Sequence, residues 1–286
     1  MPGSRASVVT WTQRALHCVA LIALFAFADT KTALSAEPFR LRVLSYNIHH
    51  GEGTDGKLDL ERIARVIAAA EPDVVALQEV DKKTNRTGGV DQPAELARLT
   101  KLQFAFGPNI RFGGGEYGNA TLSKFEITRS ENHRLPSIDQ GEQRGVLEVE
   151  LKLPGEIPAL LFFNTHLDAR GPDEERIASA HAINKLLKPR ADRLAILAGD
   201  LNAVAESETL KLLTAEWSKS SGDTLPTIPS VRPRRQIDFI LFRPASAWRV
   251  VECRVLEEAV ASDHRPILAV LEAVSAAKAT ESTPPK

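Results

Sequence analysis

The chain has only two cysteines, Cys18 and Cys253, too few for a disulfide framework or a thiolate zinc site. It also lacks an excess of either charge, with 36 basic and 37 acidic residues and a formal net charge of −1. That balance disfavours a protein that coats nucleic acid, which neutralises many phosphates with Lys and Arg. It leaves open an enzyme that meets phosphate only at its site. No apolar run approaches the roughly 20 residues needed to span a bilayer. There is no internal repeat and no linker rich in Gly, Pro or Ser. The Gly-x-Ser-x-Gly elbow, the His-Glu-x-x-His helix and a cysteine-nucleophile context are absent, so acyl transfer and zinc peptidase chemistry lack support.

What is present begins with a leader. Arg5 and Arg14 precede a ten-residue apolar run, 18–27, followed by small-residue cleavage contexts ending at Ala28 and Ala36. That pattern predicts a signal peptide over residues 1–36 and a secreted or periplasmic product, against the alternatives of a membrane anchor or a buried helix. Its removal takes away three basic residues and one acid, and the remaining chain carries a net charge of −3 and one thiol, Cys253. Residues 37–272 then read as one domain, and 273–286, small and polar with Pro284 and Pro285, as a disordered tail.

Within that domain, short runs dense in Val, Leu, Ile and Phe predict strands at 41–46, 74–77, 146–153, 159–163, 194–197, 237–242, 249–255 and 266–271. Helices are predicted over 60–70 with Asp59 as cap, over 92–101 with Pro93 in the first turn, and over 172–188. Eight strands with a few helices fit a layered α/β sandwich better than a barrel of regular strand–helix pairs.

Polar residues of a restricted kind recur where these strands end: Asn47, Glu79, the run Asn164 to Asp168, Asp200 with Asn202, Asp238, and Ser262-Asp263-His264. Six such junctions suggest one rim where strand ends converge, the usual position of a site in open α/β sheets. Carboxylates and amides without thiols are hard oxygen ligands suited to Mg²⁺, Mn²⁺ or Ca²⁺. Two histidines near carboxylates can donate to phosphoryl oxygens or move protons near neutral pH. A hard cation, an activated water and cationic donors are what phosphate-ester hydrolysis requires.

The order Ser45-Tyr46-Asn47, Leu77-Gln78-Glu79-Val80, Gly118-Asn119-Ala120, Asn164-Thr165-His166-Leu167-Asp168, Gly199-Asp200-Leu201-Asn202, Gln236-Ile237-Asp238 and Ser262-Asp263-His264 resembles the endonuclease/exonuclease/phosphatase superfamily, which includes deoxyribonuclease I. The resemblance runs from residue 41 to about 270. It implies a four-layer α/β sandwich in which helices flank two central, mainly antiparallel sheets. It further implies a bound divalent metal, Mg²⁺ first, held chiefly by Glu79 with Asn47 and Asp263. Asp200 would orient or deprotonate the attacking water, and Asn202 would hold that water or the phosphate. His264, paired with Asp238, would donate to a non-bridging oxygen, with His166 and Asn119 completing the phosphate clamp. His166 matches the deoxyribonuclease, sphingomyelinase and phosphatase branches and argues against an apurinic endonuclease.

Other features have plainer readings. Gly51 to Gly56 matches Gly-x-Gly-x-x-Gly, but Asp59 caps the helix three residues later, so a loop is expected rather than a dinucleotide site. Of His49 and His50, an extended chain turns at most one into the cleft. His133 and His181 read as surface or helix residues. Asp168 reads as a partner of the site residues or a loop acid. Arg144 is either a phosphate contact, as in compact bacterial members of the superfamily, or a surface ion pair. Gly113 to Gly115 is a mobile loop or a phosphate nest, and Arg232 to Arg235 a solvated basic run that could steer an anion. The expected protein is a monomeric, exported, metal-dependent phosphoesterase acting on a small or lipid-linked phosphodiester, with peripheral contact to lipid headgroups. Nucleic acid is the less favoured substrate, as for a secreted non-specific endonuclease, and a silent binding module is the remaining alternative.

Overall fold

The computed structural model describes residues 38–274. The expected leader and nearly all of the expected tail lie outside them. Twelve strands and four α-helices follow in chain order: β1 (Arg40–Asn47), α1 (Leu60–Ala70), β2 (Val74–Lys82), α2 (Gln92–Thr100), β3 (Gln103–Phe112), β4 (Gly115–Ser123), β5 (Glu126–Arg134), β6 (Gly145–Lys152), β7 (Leu160–His166), α3 (Glu174–Leu187), β8 (Ala195–Asp200), α4 (Glu208–Thr214), β9 (Ser218–Lys219), β10 (Asp238–Arg243), β11 (Trp248–Val255) and β12 (Ile267–Ala273). The last strand carries order past the expected domain end, since the Val274 N–H still bonds the Ala247 carbonyl. No helix among the described residues is long and apolar enough to cross a membrane.

The strands form two six-stranded sheets, ordered β11-β12-β1-β2-β4-β3 and β5-β6-β7-β8-β10-β9. Each has one parallel pair at its centre, β1 with β2 and β7 with β8, and antiparallel neighbours outside it. A helix joins each parallel pair, α1 in the first sheet and α3 in the second. The two sheets therefore repeat one connectivity that no sequence similarity between them announces.

Strand alternation divides the apolar residues into three cores. Along β1, Leu41 and Val43 face the second sheet, while Leu44 and Tyr46 face α1 and α2. Phe162, Ile196 and Ile240 meet the first sheet from the other side. Phe163, Leu197 and Leu241 pack with α3 and α4. Helix, sheet, sheet and helix make four layers, as expected. Asp59 caps α1 by accepting the Arg62 N–H at 2.7 Å, and Glu71 ends it in a left-handed turn with Pro72 beyond. Ile63 and Ile67 put its apolar stripe on the sheet, about 2–3 kcal/mol for each side chain buried.

Near one end the space between the sheets turns polar. Asn164 of β7 lies between the sheets, where its amide nitrogen donates to the carbonyls of Leu77 (3.1 Å) and Ala120 (2.8 Å). Its oxygen accepts from Gln78 Nε2 at 2.8 Å. All three partners belong to the opposite sheet, so one side chain pins the layers together just below the rim. Replacing Asn164 with Leu strips two carbonyls and one amide of their partners in a dry space. The Asn164→Leu variant should lose about 2–4 kcal/mol of stability in urea denaturation; a loss under 1 kcal/mol would show that the pin is dispensable.

Candidate active site

The alternation that buries Leu41, Val43, Phe162, Ile196 and Ala198 between the sheets continues one step further at each strand end. There it places Asn47, His166 and Asp200 on the same inward face, and Asp238 at the first position of β10. Register sets His166 beside Asp200 and Asp200 beside Asp238. Just before them the parallel strands approach so closely that a Cβ on Gly199 would overlap the Thr165 carbonyl oxygen, which requires glycine there.

Glu79 reaches the rim by another route. Simple alternation would turn it toward the helices with Leu77. A β-bulge between Leu77 and Val80 and a left-handed backbone at Glu79 (φ 58°) re-aim it instead. A left-handed non-glycine residue is costly, and such strain clusters at functional sites. Asn202 is left-handed as well (φ 46°), held by its N–H on Asp200 Oδ1 at 2.9 Å and its amide on the Leu167 carbonyl at 3.0 Å.

Asp200 is the hub. Its Oδ2 accepts from Asn47 Nδ2 at 3.1 Å and lies 3.5 Å from His166 Nε2 and 3.6 Å from His264 Nε2. Burial, with the Asp238 carboxylate beside it, pushes its pKa up to about 7. Burial opposes charge on His264, but Asp238, whose Oδ2 lies 2.9 Å from Nδ1, outweighs it and carries the imidazole to about 10. His264 is therefore a cation at neutral pH, donating from Nδ1 to Asp238 and keeping Nε2–H for the cleft.

His166 is the opposite case. Burial, then Arg144 and His264, hold its pKa well below the ordinary value, so the ring is neutral. Arg144 Nη1 lies 3.2 Å from its Nδ1. A guanidinium only donates, so Nδ1 must accept and the proton sits on Nε2, facing Asp200. Arg144 itself is buried, with Nη1 2.8 Å from Glu142 Oε1 and Nε without a partner. It touches His166 on one side and pairs with the half-buried Glu142 on the other.

The remaining expected residues sit on the same rim. The Asn119 amide donates to the Gly145 carbonyl at 3.2 Å, and its buried oxygen has no partner. Asp263 is half-buried, and the Ser262 hydroxyl bridges it to Asn47 by donating to the Asn47 carbonyl (2.7 Å) with Asp263 Oδ1 3.4 Å away. Asn47 places its amide nitrogen between Glu79 Oε1 (2.9 Å) and Asp200, while its oxygen accepts the His49 N–H at 3.1 Å. It thus orients Glu79, and its oxygen keeps a second lone pair.

Two expectations are corrected, those for the His49–His50 pair and for His133, while Asp168 takes the loop-acid alternative. His49 and His50 are not extended: both have left-handed backbones (φ 45° and 43°), their ring centroids are 4.5 Å apart, and ligand atoms from both lie within 4.8 Å of a Glu79 oxygen. Both histidines therefore border the site. Asp168 is engaged by Arg170 at 3.0 Å and braces the loop before α3 without touching a site residue. His133 is not a surface residue; it lies half-buried against Glu148 at 3.0 Å, away from the rim. Gly113 and Gly114, both left-handed, form the turn between β3 and β4. The loop from Gly51 to Gly56 precedes the Asp59 cap, as expected. His181 is exposed on α3 and Arg232 to Arg235 lie on the surface.

Two groups of metal-ligating side chains stand among the described residues: His49, His50 and Glu79, and Asp200, Asp238 and His264. The second already binds a proton between Asp238 and a cationic imidazole. At the first, Glu79 has no cationic partner in ion-pair reach and spends one oxygen on an amide. That under-compensated carboxylate, with the His49 and His50 imidazoles within ligand reach of it, could hold a divalent cation with mixed oxygen and nitrogen ligation.

A family model described as Endonuclease/Exonuclease/phosphatase family matches residues 44–264. Uncharacterized protein YbhP of Escherichia coli K12 is 27% identical over 247 residues, 82% of this chain and 96% of its own. An endonuclease/exonuclease/phosphatase structure from Beutenbergia cavernae superposes with a TM-score of 0.71 at 26% identity, covering 84% of this chain and 73% of that one. The mannosyl-6-phosphatase Bt3783 of Bacteroides thetaiotaomicron shares the fold, with a TM-score of 0.67 at 20% identity over 81% and 99% of the two chains. With Asn47, His166, Asn202, Asp238 and His264 gathered around Asp200 in that fold, the chain belongs to the Endonuclease/Exonuclease/phosphatase family, hydrolases of phosphoester bonds that commonly use divalent metals.

Proposed function

We propose that the chain is an exported, divalent-metal-dependent phosphodiesterase acting on a small or lipid-linked ester by direct attack of water. The observation that carries this reading is the buried Asp200 carboxylate between two imidazoles of opposite protonation state. A carboxylate whose pKa lies near 7 can take a proton from water at neutral pH, and Asn202 beside it fixes where that water sits. The cationic His264 points Nε2–H at a non-bridging oxygen, where negative charge grows in the transition state. His166 offers a second, neutral N–H, and Arg144 locks its tautomer. A divalent cation held by Glu79 and Asp263 would supply the further positive charge that polarises the phosphoryl group.

The apolar leader over 18–27 supports export, and the net charge of −3 after its removal favours a small or lipid-linked ester over a long polyanion. The relative named as a sugar phosphatase favours small esters in general, monoesters included.

With bis(p-nitrophenyl) phosphate, turnover should require Mg²⁺ or Mn²⁺ and vanish with EDTA, and Glu79→Gln should need far more metal for half-maximal rate. Asp200→Asn and His264→Ala should each lower turnover by at least ~10²-fold with an unchanged circular dichroism spectrum; near-normal rates would remove that residue from the mechanism. Nicking of plasmid DNA with small diesters untouched would favour the endonuclease reading instead. In metal-free protein, ¹⁵N imidazole shifts should show His264 charged at pH 8 and His166 neutral at pH 6. Asp238→Asn removes the pairing but keeps the burial, so His264 should then be neutral at pH 7.5. Fractionation of the producing cells should recover a chain shortened by 28 to 36 residues outside the cytoplasm.

A further inference from the structure

Beside the catalytic rim, the edges of the two sheets leave a cleft of about 500 Å³, lined among others by Asn109 and Arg111 of β3, Glu116 of β4, Arg134 of β5 and Gln143. That volume is in the range of small-molecule sites. The cleft shares a wall with the reaction centre. A Cβ on Gly145 would fall on the Asn109 side chain, and the Gly145 carbonyl accepts from both Asn119 and Thr165. Gln143 directly precedes Arg144, whose guanidinium touches His166.

Elsewhere most arginines lie against carboxylates, as Arg62, Arg86, Arg98, Arg190 and Arg249 do. Among the described residues, neither Arg111 nor Arg134 has a carboxylate within 4.0 Å. Arg134 Nη2 donates to the neutral Gln143 Oε1 at 2.9 Å, and the one acid of the lining, Glu116, is engaged by Lys82 at 3.6 Å. Two exposed guanidinium groups without a carboxylate partner therefore border a polar cleft whose Gln143 directly precedes Arg144, the residue that touches His166. A guanidinium's planar fork matches the oxygens of a phosphate, and two of them carry charge enough for a dianion.

We infer that this cleft is a subsite for a second phosphate on the substrate, so that the preferred ester carries one phosphate at Asp200 and His264 and another between Arg111 and Arg134. The inference deepens the phosphoesterase reading and rests on it for the first phosphate. It disfavours esters whose far arm is a choline or another cation.

Calorimetry with non-hydrolysable α,ω-alkane bisphosphonates of three to eight carbons, against the matching alkylphosphonates and with Mg²⁺ present, tests it without relying on turnover. One chain length should bind at least tenfold tighter than its monophosphonate. Arg111→Gln and Arg134→Gln should each cut that advantage at least fivefold, whereas Arg232→Gln on the exposed surface should leave it. Equal affinity of mono- and bisphosphonates, or an advantage that survives both substitutions, would overturn the subsite. Failure of the phosphoesterase reading shows separately, as absence of metal-dependent hydrolysis of bis(p-nitrophenyl) phosphate. Vesicles of phosphatidylcholine carrying phosphatidic acid, added as competitor, identify the source of the anion: displacement of the bisphosphonate points to a lipid, and no displacement to a free ester.

Discussion

Asp200 carries its carboxylate into a space with almost no access to water, at the last residue of a buried strand. An ion so placed must be met by donors, or it takes up a proton. Asn47, the Asn202 backbone and the two imidazoles arrive from four separate parts of the chain to meet it. The compensation is incomplete, because Asp238 adds a second acid nearby, and the shortfall leaves Asp200 able to exchange a proton near neutrality. The surrounding fold supplies fixed strand ends from which short side chains converge without flexible reach.

Much of this was legible in the sequence because one rule governs the core and the site. Residues two apart on a strand share a face, so the apolar positions that fill the space between the sheets also predict which polar residue at the strand end points inward. Asn47, His166, Asp200 and Asp238 all obey it. Glu79 does not, and its place at a strand end and its motif marked it instead, since a bulge and a left-handed residue override alternation there. The same blindness to backbone conformation misplaced His49 and His50, which an extended chain would have separated. Arg144 was ambiguous because burial of an arginine depends on neighbours distant in sequence.

The missed elements have physical reasons too. Strand β5 reads Glu126-Ile127-Thr128-Arg129-Ser130-Glu131-Asn132-His133-Arg134, polar because it lies at a sheet edge with much of its surface exposed. Strand β3 contains Gly107 and Pro108, breakers in a central strand but tolerated at the edge it occupies. Helix α4 is only seven residues long and too short to show a period. The β3–β5 edges that sequence reading passed over are the ones that wall the cleft beside the rim. Strand β4 was missed as well although it is buried inside its sheet, because Gly115, Gly118, Asn119, Thr121 and Ser123 dilute its apolar run, whereas the Val-rich edge strand β11 was found, so composition more than position decides which strands the sequence announces.

The bonds from Asn164 to Leu77, Ala120 and Gln78 have a mechanical consequence. They cross between the sheets directly under the rim, so neither sheet can slide or hinge against the other without breaking several buried hydrogen bonds at once. The floor of the rim behaves as a fixed jaw, with its opening set by backbone spacing. Adjustment to differently shaped esters then falls to the loops above it and to the edge strands beside it. A lineage could retune selectivity there while the hydrolytic geometry beneath stayed the same.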